Sequence, residues 1–211
     1  MYAYMKGEVF LFCNVRYSFL KEIILASSSP RRQSLLKNLG ISFSTISVNI
    51  DESFLPQESP RDAVRRLARL KAERAVTVLK EDCLLITADT IVVLDGQVMG
   101  KPGSEDDALE MLTRLSGRCQ EVITAICIRT RARGCEVEDE TTRVYFRPLS
   151  EEEIQAYIAS GEPADKAGAY GIQGRGGLLV ERIEGCYFNV VGLPLSRLYL
   201  MLKKHGINLL E

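Results

Sequence analysis

The 211-residue sequence predicts an α/β fold: an elongated mixed β-sheet flanked by helices, in two lobes with a cleft between them. Three observations carry this expectation. Strand-like apolar runs alternate with helical periodicity along the chain, with no low-complexity linker and no repeat. Three helical segments open on a serine followed three residues later by an acid: Ser59 with Asp62, Ser104 with Asp107 and Ser150 with Glu153. Asp95-Gly96, between Val93-Leu94 and Gln97-Val98, is a hairpin signal that a purely parallel winding would not contain.

In chain order, Glu22 to Ala26 reads as a strand. Leu35, Leu36 and Leu39 follow at helical spacing, with Ser29 as cap, Pro30 at the first position and Gly40 as stop. Val48-Asn49-Ile50 reads as a strand end before the acidic pair Asp51-Glu52. In the helix from Pro60, about 100° per residue puts Val64, Leu67, Ala68, Ala75 and Val78 on one apolar arc. Cys83 to Thr87 and Ile91 to Leu94 look like two buried strands with Ala88-Asp89-Thr90 between them. Further strands are expected at Val122 to Ile128, Thr142 to Phe146 and Leu178 to Ile183. Gly117 and Gly161 stop the helices that open at Ser104 and Ser150, and Pro194 to Gly206 is a closing amphipathic helix. A break between lobes is expected near residue 103 or 150. Residues 1–20 form an extension, with Met5 as an alternative start, ahead of a single domain over 21–211.

The formal net charge is −1, which gives no electrostatic drive toward a nucleic acid polymer or an acidic membrane. No apolar stretch approaches the roughly 18 residues of a spanning helix. The cysteines are Cys13, Cys83, Cys119, Cys127, Cys135 and Cys186, without a C-x-x-C pair, and His205 is the lone histidine. That leaves zinc and Cys–His chemistry without their usual residues, and a reduced, cytoplasmic setting is expected.

Any anion site must therefore be a local cluster. Ser27-Ser28-Ser29-Pro30-Arg31-Arg32 places hydroxyls and two guanidinium groups at a helix start, where the dipole by itself favours acids. A bound phosphate group resolves that conflict; two solvated arginines on a capped helix are the plain alternative. Lys71 lies in the middle of the apolar arc of its helix, either paired or with its amine reaching water. Asp89 between apolar runs suits metal binding or proton abstraction, or else a turn. Glu52 could add a second oxygen ligand, or lie on a solvated loop. Lys101 sits in a Gly100-Lys101-Pro102-Gly103 turn. The glycine-rich run from Ala167 to Gly177 permits close backbone approach to a ligand, or is a mobile loop, and its Gln173 offers both a donor and an acceptor. Neither a Rossmann fingerprint nor a P-loop is present in the sequence.

LASSSPRRQSLL, Asp51-Glu52, RLARLKA, ADTIVVLDGQVMGKP, MLTRLSG, SGEPADKAGAYGIQGRGG and NVVGLPL occur in this order over residues 22–204. Together they resemble the Maf family of nucleoside triphosphate pyrophosphatases. The resemblance implies hydrolysis of a nucleoside triphosphate to its monophosphate and pyrophosphate with a divalent cation, Mg²⁺ or Mn²⁺. It implies Asp89 as proton acceptor, and Arg32, Thr90 and Gln173 as specificity positions. The intact YGIQG string resembles the subfamily acting on dTTP and UTP. On this reading Ser29, Arg31, Arg32, Lys71 and Lys101 cradle the phosphates, and Glu52 with Asp89 hold the cation. A homodimer is also suggested by the family. A nucleotide-binding regulator of cell division without turnover, and a house-cleaning hydrolase for modified nucleotides, are the alternatives. Gln120 departs from the family pattern, which often has histidine there.

Overall fold

The computed structural model describes residues 22–77 and 83–211. The expectations for the extension 1–20, with Met5 and Cys13, and for Val78 lie outside these residues. The described chain forms β1 (Glu22–Ala26), α1 (Pro30–Asn38), β2 (Ser44–Ile46), α2 (Pro60–Val76), β3 (Cys83–Leu94) and β4 (Gln97–Met99). It continues through α3 (Glu105–Leu115), β5 (Cys119–Thr130), β6 (Gly134–Phe146), α4 (Glu151–Ile158), β7 (Val180–Glu184), α5 (Tyr187–Val191) and α6 (Leu195–Lys204). Short 3-10 turns fill Glu162–Leu179 between α4 and β7.

The strands make one seven-stranded mixed sheet in the order β2-β1-β3-β5-β6-β7, with β4 also paired to β3. β1 runs parallel to β2 and β3, and the remaining pairings are antiparallel. The β3–β4 hairpin turns at Asp95 (φ 51°) and Gly96 (φ 76°), where both central residues are left-handed. Ser59, Ser104 and Ser150 each accept a hydrogen bond from the backbone N–H three residues on, and Ser150 with Glu153 completes a reciprocal capping box.

Apolar side chains fall into three clusters. One packs α1 and α6 on one face of β1, β3 and β5 through Leu36, Ile86 and Leu202. Another packs α2 on the opposite face through Val64, Ala68 and Leu85. The third joins α3, α4 and the 3-10 turns to the other end of the sheet through Leu94, Leu112 and Phe146. The two ends of the sheet thus have separate cores.

Four local expectations are corrected. Cys83–Leu94 is one continuous strand, so Asp89 lies within β3 and not in a turn or at a strand end. The strand before the acidic pair is Ser44–Ile46, and Val48 to Glu52 is loop. β6 extends back to Gly134 because alternate acids are paired on both faces. Asp139 meets Arg61 at 2.8 Å and Arg65, whereas Glu140 and Glu138 meet Arg197 at 2.7 and 3.3 Å. Ser29 occupies the N-cap position of α1, but its side chain makes no capping bond.

The cap geometries predict opposite outcomes for two serine substitutions. Ser150→Ala should cost about 1 kcal/mol in urea denaturation. Ser29→Ala should leave stability within about 0.5 kcal/mol of the parent.

Candidate active site

The site grows from a gap in the sheet. One edge of β3 pairs with β1 at Cys83–Ile86 and with β4 at Val92–Leu94. Between these partners that edge is open at residues 87–91, while β5 covers the other edge throughout. Strand alternation sends successive side chains to opposite faces at the opening. Thr87 and Asp89 face α2, and the Thr87 hydroxyl donates to the Ala68 carbonyl at 2.6 Å. Thr90 points to the other face, toward α1 and the segment after α5.

A cavity of about 890 Å³ wraps this open edge. Ser29, Arg31, Arg32, Glu52, Lys71, Asp89, Thr90, Lys101 and Gln173 all line it. Of the acidic pair, only Glu52 faces the cavity. Asp51 stays on the exposed side, where its carboxylate accepts from the Ser53 N–H at 2.9 Å.

Lys71 does not snorkel to water. Its ammonium sits between two carboxylates, hydrogen-bonded to Asp89 and 2.6 Å from Glu52, with its side chain only 12% exposed. Burial pushes the Glu52 carboxyl up, but the hydrogen bond and charge of Lys71, helped by Lys101 and Arg32, hold it below the usual value.

Arg32 is committed to protein. Nε donates to the Gly192 carbonyl at 2.8 Å, and Nη1 to the Ala88 carbonyl at 2.9 Å and the Ser27 hydroxyl at 3.3 Å. Nη2 donates to the Thr90 hydroxyl at 2.9 Å. Four of its five N–H groups are thereby used, so it offers a phosphate or sugar little beyond its charge. Arg32 also caps a carbonyl on the open edge of β3, where a neighbouring strand would otherwise donate. Burial lowers its pKa, with Asp89 opposing that fall. Arg31 is freer, 3.4 Å from the exposed Asp165.

Lys101 and Gln173 are exposed at the cavity wall and have no hydrogen-bonded side-chain partner among the described residues. The turn carrying Lys101 is anchored, since the Gly100 carbonyl accepts from the Gly168 N–H at 2.9 Å. The glycine-rich segment is tied down as well. Glu162 accepts from the Arg175 and Gly176 N–H groups at 3.0 and 3.3 Å. At Gly176, an added Cβ would lie 2.1 Å from the Gly171 carbonyl oxygen. Here glycine is required by the loop packing on itself, not by ligand approach.

Several lining or supporting residues carry no role in the sequence reading. Asp165 and Lys166 line the cavity beside Arg31, and their side chains pair at 2.6 Å. Gln120 is buried and donates to the Tyr170 hydroxyl at 3.3 Å, so the glutamine supports an aromatic wall of the cavity. Asn189 is fully buried in the NVVGLPL string, a string that marks the family resemblance but shows no charge or periodicity of its own.

The donors facing Lys71 are carboxylate oxygens alone, and no cluster of three or more His, Cys, Asp or Glu side chains suited to a metal occurs among the described residues. Two carboxylates suit a hard cation that takes its remaining ligands from phosphate and water, and they do not suit zinc.

The fold and cavity thus define an α/β protein whose cavity gathers Arg31, Lys71 and Lys101 around a carboxylate pair. Comparison with known proteins is specific: the family model described as Maf-like protein matches residues 22–205, and the chain belongs to that family. A dTTP/UTP pyrophosphatase of Syntrophomonas wolfei is 59% identical over 188 residues, covering 89% of this chain and 99% of the relative. One from Caldicellulosiruptor bescii is 49% identical over 196 residues, covering 91% and 98%.

The ion triad sets a pH test. A depressed Glu52 pKa stabilises the fold above the ordinary carboxylate value, and that contribution disappears as pH falls through the depressed value. Lys71→Met should raise the Glu52 pKa, observable by carboxyl-carbon NMR titration. Its loss of stability should be full at neutral pH and shrink only as pH falls below 4.5, the ordinary glutamate value, toward the depressed one. Gly176→Ala should distort the loop carrying Gln173 and lower the melting temperature by several degrees, about 1–3 kcal/mol of overpacking.

Proposed function

We propose that this protein hydrolyses nucleoside triphosphates, dTTP and UTP foremost, to the monophosphate and pyrophosphate. The observation that carries the reading is the single cavity in which Asp89, Glu52 and Lys71 meet at the open edge of β3, with Arg31 and Lys101 on its walls. The relatives' activity, over about nine-tenths of the chain, supports the choice of substrate.

A triphosphate brings about four negative charges, which must be countered before a nucleophile can approach phosphorus. Arg31, Lys71, Lys101 and the first-turn N–H groups of α1 supply that field, and Ser29 adds a hydroxyl without a capping duty. Asp89 orients a water and takes its proton. The water oxygen bonds to the α-phosphorus as the bond to the bridging oxygen breaks, and pyrophosphate leaves. Cleavage between the α- and β-phosphates, and not loss of the γ-phosphate, matches the pyrophosphatase activity in the relatives' names. A bound divalent cation, Mg²⁺ or Mn²⁺, held by Glu52 and Asp89 with phosphate oxygens, would supply further charge neutralisation and a more acidic water. Lys71 holds the two carboxylates in register before any cation arrives.

On the nucleoside side, the free amide of Gln173 can donate to O4 and accept from N3–H, an edge that uracil and thymine share. Cytosine presents the opposite polarity there. A reducing, cytoplasmic setting fits the free thiols of Cys119, Cys127, Cys135 and Cys186.

The deciding experiment is pyrophosphate release over a nucleotide panel with Mg²⁺. dTTP and UTP should lead; a purine triphosphate in first place would remove Gln173 from base reading, and binding without release would make the protein a nucleotide sensor. Asp89→Asn should keep its circular dichroism spectrum and lose about 10²–10⁴-fold in turnover.

A further inference from the structure

We propose that Thr124, anchored on Asn189, fixes the hydrogen-bond polarity of the Thr90 hydroxyl, so that Thr90 offers the substrate an acceptor only and selects a nucleoside N–H or O–H donor. The proposal deepens the reading of the cavity as a nucleoside triphosphate site and rests on it.

The hydroxyl protons line up along one chain under the cavity. The Thr124 hydroxyl lies 2.9 Å from the Asn189 backbone carbonyl, which can only accept, so the one Thr124 proton points there. Thr124 and Thr90 hydroxyl oxygens are 2.9 Å apart. With the Thr124 proton committed, Thr90 must be the donor in that pair. Arg32 Nη2 then donates to Thr90 from the other side, and a guanidinium has no acceptor to offer. The order is therefore Arg32 to Thr90 to Thr124 to the Asn189 carbonyl, and no alternative arrangement avoids two lone pairs facing each other.

Burial keeps this order in place. Thr124 and Asn189 are both 0% exposed, so water cannot substitute for a lost partner. The Asn189 amide donates to the Val122 carbonyl and to the Thr142 hydroxyl, each at 2.9 Å, which pins α5 against β5 and β6. Three residues further on, the Gly192 carbonyl accepts from Arg32 Nε. The segment Asn189–Gly192 thus holds both Arg32 and, through Thr124, Thr90.

Thr90 itself is only partly buried and lines the cavity. Its proton is committed to Thr124 and one lone pair to Arg32. What remains for a ligand is one lone pair. A phosphate oxygen placed there is repelled, whereas a base N–H or a sugar hydroxyl is accepted. Asp89, one residue earlier, faces the opposite side of the strand, which separates donor selection from the chemistry. Thr124 is accordingly a positioning residue, acting through Thr90.

The experiment measures kcat and KM for the wild type, Thr124→Val and Thr124→Ser in two substrate arms. UTP against CTP tests the base N3–H, and dTTP against 2′,3′-dideoxy-TTP tests the sugar hydroxyl. In at least one arm the wild type should lose about tenfold or more in kcat/KM when the donor is removed; because Gln173 also reads the base edge, the arm whose ratio collapses in Thr124→Val identifies the group that Thr90 accepts from. Thr124→Val frees the Thr90 proton to turn toward the cavity, so the same ratio should fall to about threefold or less, through KM, with kcat for the parent nucleotide nearly unchanged. Thr124→Ser should restore the wild-type ratio. An unchanged ratio in Thr124→Val, or wild-type ratios within about threefold in both arms, would overturn the proposal. Should Thr124→Val not fold, Thr124→Ala carries the same comparison, and the wild-type arms alone retain the power to refute. A wild type that hydrolyses no nucleotide at all defeats the parent reading, a result distinct from normal hydrolysis with unaltered selectivity.

Discussion

The open stretch of β3 between β1 and β4 is the constraint on which the rest of the molecule depends. A strand interior exposes backbone groups when it lacks a neighbour, and such groups must be satisfied by something else. Here a parallel partner ends, an antiparallel hairpin begins, and side chains fill the interval. Arg32 supplies the donor that Ala88 would otherwise take from a strand. The same interval admits solvent to a part of the sheet that is covered everywhere else, so a carboxylate at Asp89 can be reached without being on the surface.

The two-residue period of the strand then divides the labour. Asp89 faces α2, where Lys71 and Glu52 complete a charged triad. Thr90 faces α1 and α5, where a hydroxyl chain buried under the cavity ends at a backbone carbonyl. Adjacent residues in sequence thus place a paired carboxylate and a chained hydroxyl on opposite sides of one strand. The Lys71 triad also explains why a lysine is tolerated in the apolar arc of α2: each charge is paired, and none of the three is left alone in a poorly solvated place.

Much of this is legible in the sequence. The three Ser-x-x-acid starts, the Asp95-Gly96 turn and the buried runs at β1, β3 and β5 follow from local rules that operate within a few residues. The misplacement of Lys71 on its helix was visible as a conflict of period and polarity, as was the pair of arginines at the start of α1. The first half of β6 was hidden because alternating acids carry no apolar signal. They become strand only when Arg61, Arg65, Arg197 and Lys204, distant in sequence, neutralise them from two sides.

By itself, the sequence determined the helix starts, the hairpin, the mixed α/β class and the residue types that gather around a polyanion. Tertiary structure decided what each of those residues is free to do. It gave Arg32 four protein acceptors, tied the glycine-rich loop to Glu162, and set Thr90 between Arg32 and Thr124. The physical reason is that propensity and patterning are local, whereas the vacancy of a donor or acceptor depends on every neighbour the fold brings within about 3 Å.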